Sequence, residues 1–141
     1  SVYNIDRLNI YRATQEGMAQ VLESLKIRPQ AALIDAMPVQ AGNIKTYSLI
    51  HGDALSASIA AASVIAKVTR DRMMEQLAAE YPQYGWAHNK GYGSAEHMQA
   101  VLEYGATSWH RRSYEPVKSM HLPPAEPVPN KIIRLPEEAD G

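Results

Sequence analysis

Two acids at the ends of short β-forming runs are the first candidates for chemistry in this sequence. Asp35 closes the apolar run Ala31–Ile34, and Asp53 follows a second run, Thr46–Ile50, by way of a turn over His51–Asp53. Each has an ordinary structural reading: a solvent-facing strand end for Asp35, a helix N-cap for Asp53. The pair says more than either member. If the two strands are neighbours, both carboxylates emerge on one edge of the sheet, the usual place for ligands in such folds. Converging there, they repel unless a divalent cation sits between them. The chain has no cysteine, so ligands must come from Asp, Glu, His or backbone oxygen. Carboxylates favour hard ions such as Mg²⁺ or Mn²⁺.

Asp53 also opens the stretch HGDALSASIAAASVIAKVTRDR. Its Ala, Ser, Ile and Val residues let another backbone come very close. A central buried helix is the plain alternative, and it accounts for Ile59, Ala62, Ile65 and Ala66. The basic end is harder to explain by packing: Lys67, Arg70 and Arg72 are offset only by Asp71, which reads as a salt-bridged surface residue. Lys67 is a candidate for meeting a phosphate or steadying a carboxylate. In the loop HNKGYGS, Gly91 and Gly93 flank Tyr92 and allow close backbone approach. A tyrosine there can stack on a sugar or base and hydrogen-bond through its hydroxyl, or it is a packed Tyr in a glycine-rich turn. His110-Arg111-Arg112 reads as a phosphate clamp, or as a solvated helix end favouring cations. Lys67, Lys90, Tyr92 and Arg111 are the candidate substrate-binding residues; His88 and His97 read as surface polar residues.

The elements that must position these groups follow from periodicity. Leu8, Tyr11, Met18, Val21, Leu22 and Leu25 recur at helical spacing, predicting one helix over Ile5–Lys26 that Arg28-Pro29 stops. The two strands come next, both reading as buried, with a loop over Ala36–Lys45 between them. The small-residue helix runs from the turn to about Glu80, where Tyr81-Pro82 breaks it. Ser94 caps a helix over about Ala95–Tyr104, and Gly105 ends it. Thr107 opens a short helical turn to about Arg112. Beyond Pro116 the sequence is Pro-rich and irregular, with Ile132, Ile133 and Leu135 as possible anchors. The pattern is α/β with only two strands, a marginal sheet by itself.

Bulk properties exclude several classes. The 141 residues fit one domain. No apolar run approaches the roughly 20 residues of a membrane span, and SVYNIDRLNIYR lacks the apolar core of a signal peptide. A net charge of −1 announces no global basic field, although a neutral protein can carry a local basic groove. Absence of cysteine is compatible with the cytoplasm, the expected location.

Taken in order, LIDAM, GDALSASIAAASVIAKVTRDRMM, YPQYGWAHNKGYGS with the following His97, and HRRSYEPV resemble bacterial ribonuclease HII. The resemblance covers about Asn4 to Val117. It implies a ribonuclease H-like fold in which a mixed central sheet carries four carboxylates and binds two divalent ions, Mg²⁺ or Mn²⁺, about 4 Å apart. It implies nicking of the RNA strand of RNA–DNA hybrids and cleavage 5′ to single ribonucleotides in duplex DNA, leaving 3′-hydroxyl and 5′-phosphate ends. By motif, Asp35 and Asp53 match the third and fourth carboxylates, and Tyr92 matches the tyrosine beside the ribose at the RNA–DNA junction.

The family pattern opens with a strand bearing an adjacent Asp-Glu pair and then Gly-Arg-Gly. Here the only Asp in the first thirty residues is Asp6, followed by Arg7, and no Gly-Arg-Gly occurs. The chain is therefore expected to be the C-terminal part of such an enzyme: 1–117 part of a ribonuclease H-like domain with a helical C-terminal region, 118–141 an irregular tail. Its expected partners are the N-terminal segment of the same enzyme and RNA–DNA hybrid or ribonucleotide-containing duplex. The intact enzyme is expected to be a monomer, and the chain alone inactive. The competing reading is a non-catalytic nucleic-acid-binding fragment or interaction module that uses the basic helix end and HRRSY.

Overall fold

A computed structural model of the chain describes residues 1–126. The apolar residues Ile132, Ile133 and Leu135, expected to anchor the tail, lie outside the described residues. The chain divides into two compact units, one of Arg7–Ala66 and one of Ser1–Asp6 with the chain from Lys67 onward.

The first helical stretch is broken in two, α1 over Val2–Leu8 and α2 over Ile10–Ser24. The break lies at Asn9, whose positive φ of 73° interrupts the helix and whose side-chain oxygen accepts the Arg12 N–H at 3.1 Å. With ψ at 163° this backbone lies outside the left-handed helical well, and the short Asn9 amide caps the new start. Leu25, in extended conformation, ends α2 ahead of Pro29.

Strands β1 (Ala31–Asp35) and β2 (Lys45–Leu49) pair in parallel, in register from Ala31 opposite Lys45 to Asp35 opposite Leu49. Parallel neighbours ordinarily need a crossover of a dozen or more residues; here residues 36–44 suffice. Within that loop Val39, Ala41 and Ile44 are buried. The expectation that both strands are buried is corrected. Only Ile34 is buried in β1 and no residue in β2, while Leu33 and Tyr47 stand about half exposed. Among the described residues the sheet has these two strands alone.

The small-residue helix also divides. Gly52–Leu55 forms the short α3 and Ala57–Glu80 forms α4, because Ser56 adopts an extended backbone between them. Ile59 is buried, but Ala62, Ile65 and Ala66 are exposed, as is Val64. Their reading as a buried helix face is therefore corrected within the described residues.

The second unit carries the described core of Leu77, Tyr84, Trp86, Ala100, Val101 and Val117. Pro82–Tyr84 forms a 3-10 turn and Trp86–Asn89 a short helix, α5, where a plain loop was expected. Helix α6 spans Ala95–Tyr104, with the Ser94 side chain accepting the His97 N–H and Gly105 at its end. Thr107–Arg112 is a run of turns rather than a helical turn, and Val117–Met120 forms a further 3-10 turn.

Candidate active site

In the Arg7–Ala66 unit, parallel pairing brings the ends of β1 and β2 to the same edge of the sheet. Asp35 is the last residue of β1, and its Oδ1 accepts the Gly52 N–H at 2.8 Å. Asp53 lies in the single turn of α3 that follows β2, and its Oδ1 accepts the Ala54 N–H at 2.9 Å. Both acids are exposed. Gly52 couples them: its amide holds one carboxylate and its carbonyl carbon leads to the other.

The backbone at this edge is strained. Ala36, after Asp35, has φ 51°, and His51, two residues before Asp53, has φ 57°. Left-handed backbone at a non-glycine residue costs about 1–3 kcal/mol and gathers at functional sites. Gly52 sits in close quarters: a Cβ there would lie 2.7 Å from Ile59 Cδ1 and 3.2 Å from Leu49 Cβ, so those side chains would have to shift. A carboxylate has about four lone-pair positions, so each acid retains capacity for a ligand beyond its backbone hydrogen bond. Two hard oxygen donors on one edge suit a divalent cation of the Mg²⁺ class. Among the described residues, no group of three His, Cys, Asp or Glu side chains gathers to complete such a site.

The remaining candidates belong to the second unit, and most are already engaged. Lys67 Nζ pairs with Asp71 Oδ2 at 2.6 Å, one helical turn away. That hydrogen bond and charge raise the Lys67 pKa and lower that of Asp71. Lys90 Nζ pairs with Glu75 Oε1 at 2.6 Å. Arg111 stacks its guanidinium 4.1 Å from the centre of the Tyr114 ring. Tyr92 is 68% exposed at the tip of its loop. Asn89 shapes that loop: its Oδ1 accepts the Gly91 N–H and its Nδ2 donates to the Tyr84 carbonyl, each at 2.8 Å. Lys90 and Gly91 both take positive φ. Asn89 was missed in the sequence, although an Asn ahead of a glycine turn is a recognised signal for such side-chain-to-backbone bonds.

The histidines divide differently from expectation. His88 is exposed, as expected. His97 and His110 are buried, correcting the surface reading of His97 and removing His110 from a solvent-facing clamp. Their rings stack at 5.3 Å and 8° beside Tyr84 and Trp86. His97 Nδ1 donates to the Tyr84 carbonyl, and His110 Nδ1 accepts the Thr107 N–H at 3.0 Å. Burial, with His97 alongside, lowers the His110 pKa to about 4. Arg112 has its Nε and Nη1 buried; Asp6 accepts its backbone N–H and that of Ser113. Burial alone would raise the Asp6 pKa, but the hydrogen bonds from Ser113 and Arg112 outweigh it and lower the pKa.

Comparison with known proteins agrees with the motifs. The family model described as ribonuclease HII matches residues 1–117. The ribonuclease HII of Lactobacillus gasseri is 53% identical over 113 residues, covering 80% of this chain and 45% of that protein. That of Macrococcus caseolyticus is 49% identical over 120 residues, 85% and 45% of the two chains. That of Geobacillus kaustophilus is 52% identical over 120 residues, 85% and 46%. The chain thus spans less than half the length of these curated relatives. A family match over residues 1–117, with identity near one half over 113 to 120 residues, is far beyond what a shared fold class requires: the chain belongs to the ribonuclease HII family.

Proposed function

We propose that this chain supplies part of a ribonuclease H type 2 active site, and that the enzyme containing it cuts the RNA strand of RNA–DNA hybrids and the 5′ side of single ribonucleotides in duplex DNA. The family match over residues 1–117 carries this reading, and the two exposed acids on one sheet edge support it. In it, Asp35 and Asp53 hold a divalent cation, Mg²⁺ or Mn²⁺. Bound there, the cation would polarise the scissile phosphate and lower the pKa of a water. Asp35, fixed by the Gly52 amide, keeps its carboxylate oriented toward the edge. Asp53 sits on a single helical turn whose own amide holds it. Tyr92 offers an exposed ring and hydroxyl to the ribose, the sugar that differs from DNA by its 2′-hydroxyl. Lys67, Lys90 and Arg111 contribute positive charge near the phosphates, Lys67 and Lys90 by exchanging an acid partner for one.

The remaining cation ligands are assigned to an N-terminal segment bearing the Asp-Glu pair, with the complete enzyme a cytoplasmic monomer. Leu33, Tyr47, Val64 and Ile65, exposed here, are the apolar surface such a segment would cover.

In the complete enzyme, Asp53→Asn lowers cleavage of a duplex carrying one ribonucleotide by more than about 100-fold, beyond what losing a mere support of a ligand costs, while hybrid binding is largely kept. Full turnover by that variant sinks the assignment. Tyr92→Ala lowers cutting at single ribonucleotides about tenfold, the scale of one stacked base. The 141-residue chain alone makes no Mg²⁺-dependent nick. A second reading, nucleic-acid binding without metal, draws on the absence of a third nearby ligand among the described residues. Salt-dependent duplex binding by the chain that is indifferent to Mn²⁺ would favour it.

A further inference from the structure

Lys67, Arg70, Asp71, Met74 and Glu75 recur at spacings of three and four and so share one face of α4. The Tyr92 loop runs along that face, residue against residue. Lys90 meets Glu75 at 2.6 Å. The position of a Cβ on Gly91 lies 3.0 Å from Met74 Cε and 3.8 Å from Arg70 Nη2. Arg70 Cζ lies 5.2 Å from the centre of the Tyr92 ring. Lys67, the other cation one turn back, is bound to Asp71.

The backbone of Tyr92 is set by its own turn, its N–H donating to the Asn89 carbonyl at 2.8 Å. The ring is another matter. At 68% exposure it has no packed pocket to select a rotamer, and its aromatic face meets a guanidinium instead. A planar cation over a ring face favours one orientation, more so for Arg than for Lys. Even so the ring stays largely exposed and accessible to a sugar or base.

We propose that Arg70 is a positioning residue that holds the Tyr92 ring in the orientation with which a ribonucleotide in duplex DNA is selected. This rests on the reading of Tyr92 given above. Arg70 acts through the ring and touches no reacting atom.

The test uses the 141-residue chain and two labelled duplexes of one sequence, all-DNA or with a single ribonucleotide. Wild type binds the ribonucleotide duplex several-fold tighter. Arg70→Ala reduces that preference about two- to fivefold, the scale of an exposed cation–π contact. Arg70→Lys restores part of it. In a Tyr92→Ala background, Arg70→Ala changes the preference no further. Taking the ratio of the two duplexes removes the general loss of phosphate attraction. Ring-labelled tyrosine NMR gives a readout independent of nucleic acid: the Tyr92 signal, assigned by Tyr92→Phe, contacts Arg70 side-chain protons and shifts in Arg70→Ala. An unmoved Tyr92 signal overturns the proposal, as does an Arg70 effect that persists without Tyr92. A wild-type chain with equal affinity for both duplexes overturns the reading of Tyr92, and with it any role for Arg70 in selection, even where the NMR contact is present.

Discussion

Gly52 joins the two acids more closely than either strand does. Its N–H holds Asp35, it directly precedes Asp53, and its missing side chain is what lets Ile59 and Leu49 close around it. Gly52→Ala forces a methyl into that contact, so unfolding in urea reports a loss of about 1–3 kcal/mol, as for overpacking in a core. The same substitution displaces the amide from Asp35. The sequence pointed to this position only as the first half of a Gly-Asp step. The need for glycine came from the approach of Ile59, seven residues further on, and packing distances of that kind are not written in spacing.

At the scale of elements, α6 and the turns after it are tied together by the His97–His110 stack. Folded protein keeps the His110 ring neutral down to about pH 4, while an unfolded chain protonates it near 6.5. Between these values the unfolded state binds more protons, so stability falls as pH drops from about 6.5 to about 4. The melting temperature of wild type accordingly declines across this window, and His110→Gln declines less steeply. Equal slopes would remove His110 as the source. Helix α6 itself was legible because its determinants are local: Ser94 caps it, Gly105 ends it, and both bounds hold. The break at Ser56 was not legible, since Ala, Ser and Leu around it all accept a helix, and the extended Ser56 reflects the turn that brings α3 over the end of β1.

Across the described residues, apolar character and burial part company. Val64 and Ile65 are 62% and 67% exposed, whereas Leu77 on the same helix is 8% exposed. Val64→Ser and Ile65→Ser therefore change the stability of the isolated chain by less than about 0.5 kcal/mol each, while Leu77→Ala costs about 2–5 kcal/mol. In the complete enzyme the first two substitutions become costly if an N-terminal segment packs on them. Equal costs in both contexts would remove these residues from such an interface. Composition and periodicity could not separate the two groups: an apolar helix face has the same pattern whether or not its covering layer is present.

From sequence alone came the α/β class, the two short strands, α6 with its cap, the placing of Asp35 and Asp53 after consecutive strands, and the family resemblance. These depend on runs, caps and motifs acting over a few residues. Tertiary structure decided that the strands pair in parallel and share an edge, that His97 and His110 are interior, that Lys67 and Lys90 already hold acids, and that Arg70 lies over Tyr92. Apart from Lys67 with Asp71, an i,i+4 pair within α4, these depend on contacts between side chains or strands from separate segments. Such contacts are selected by packing and charge together, so the residues that carry them become visible only when the chain has folded.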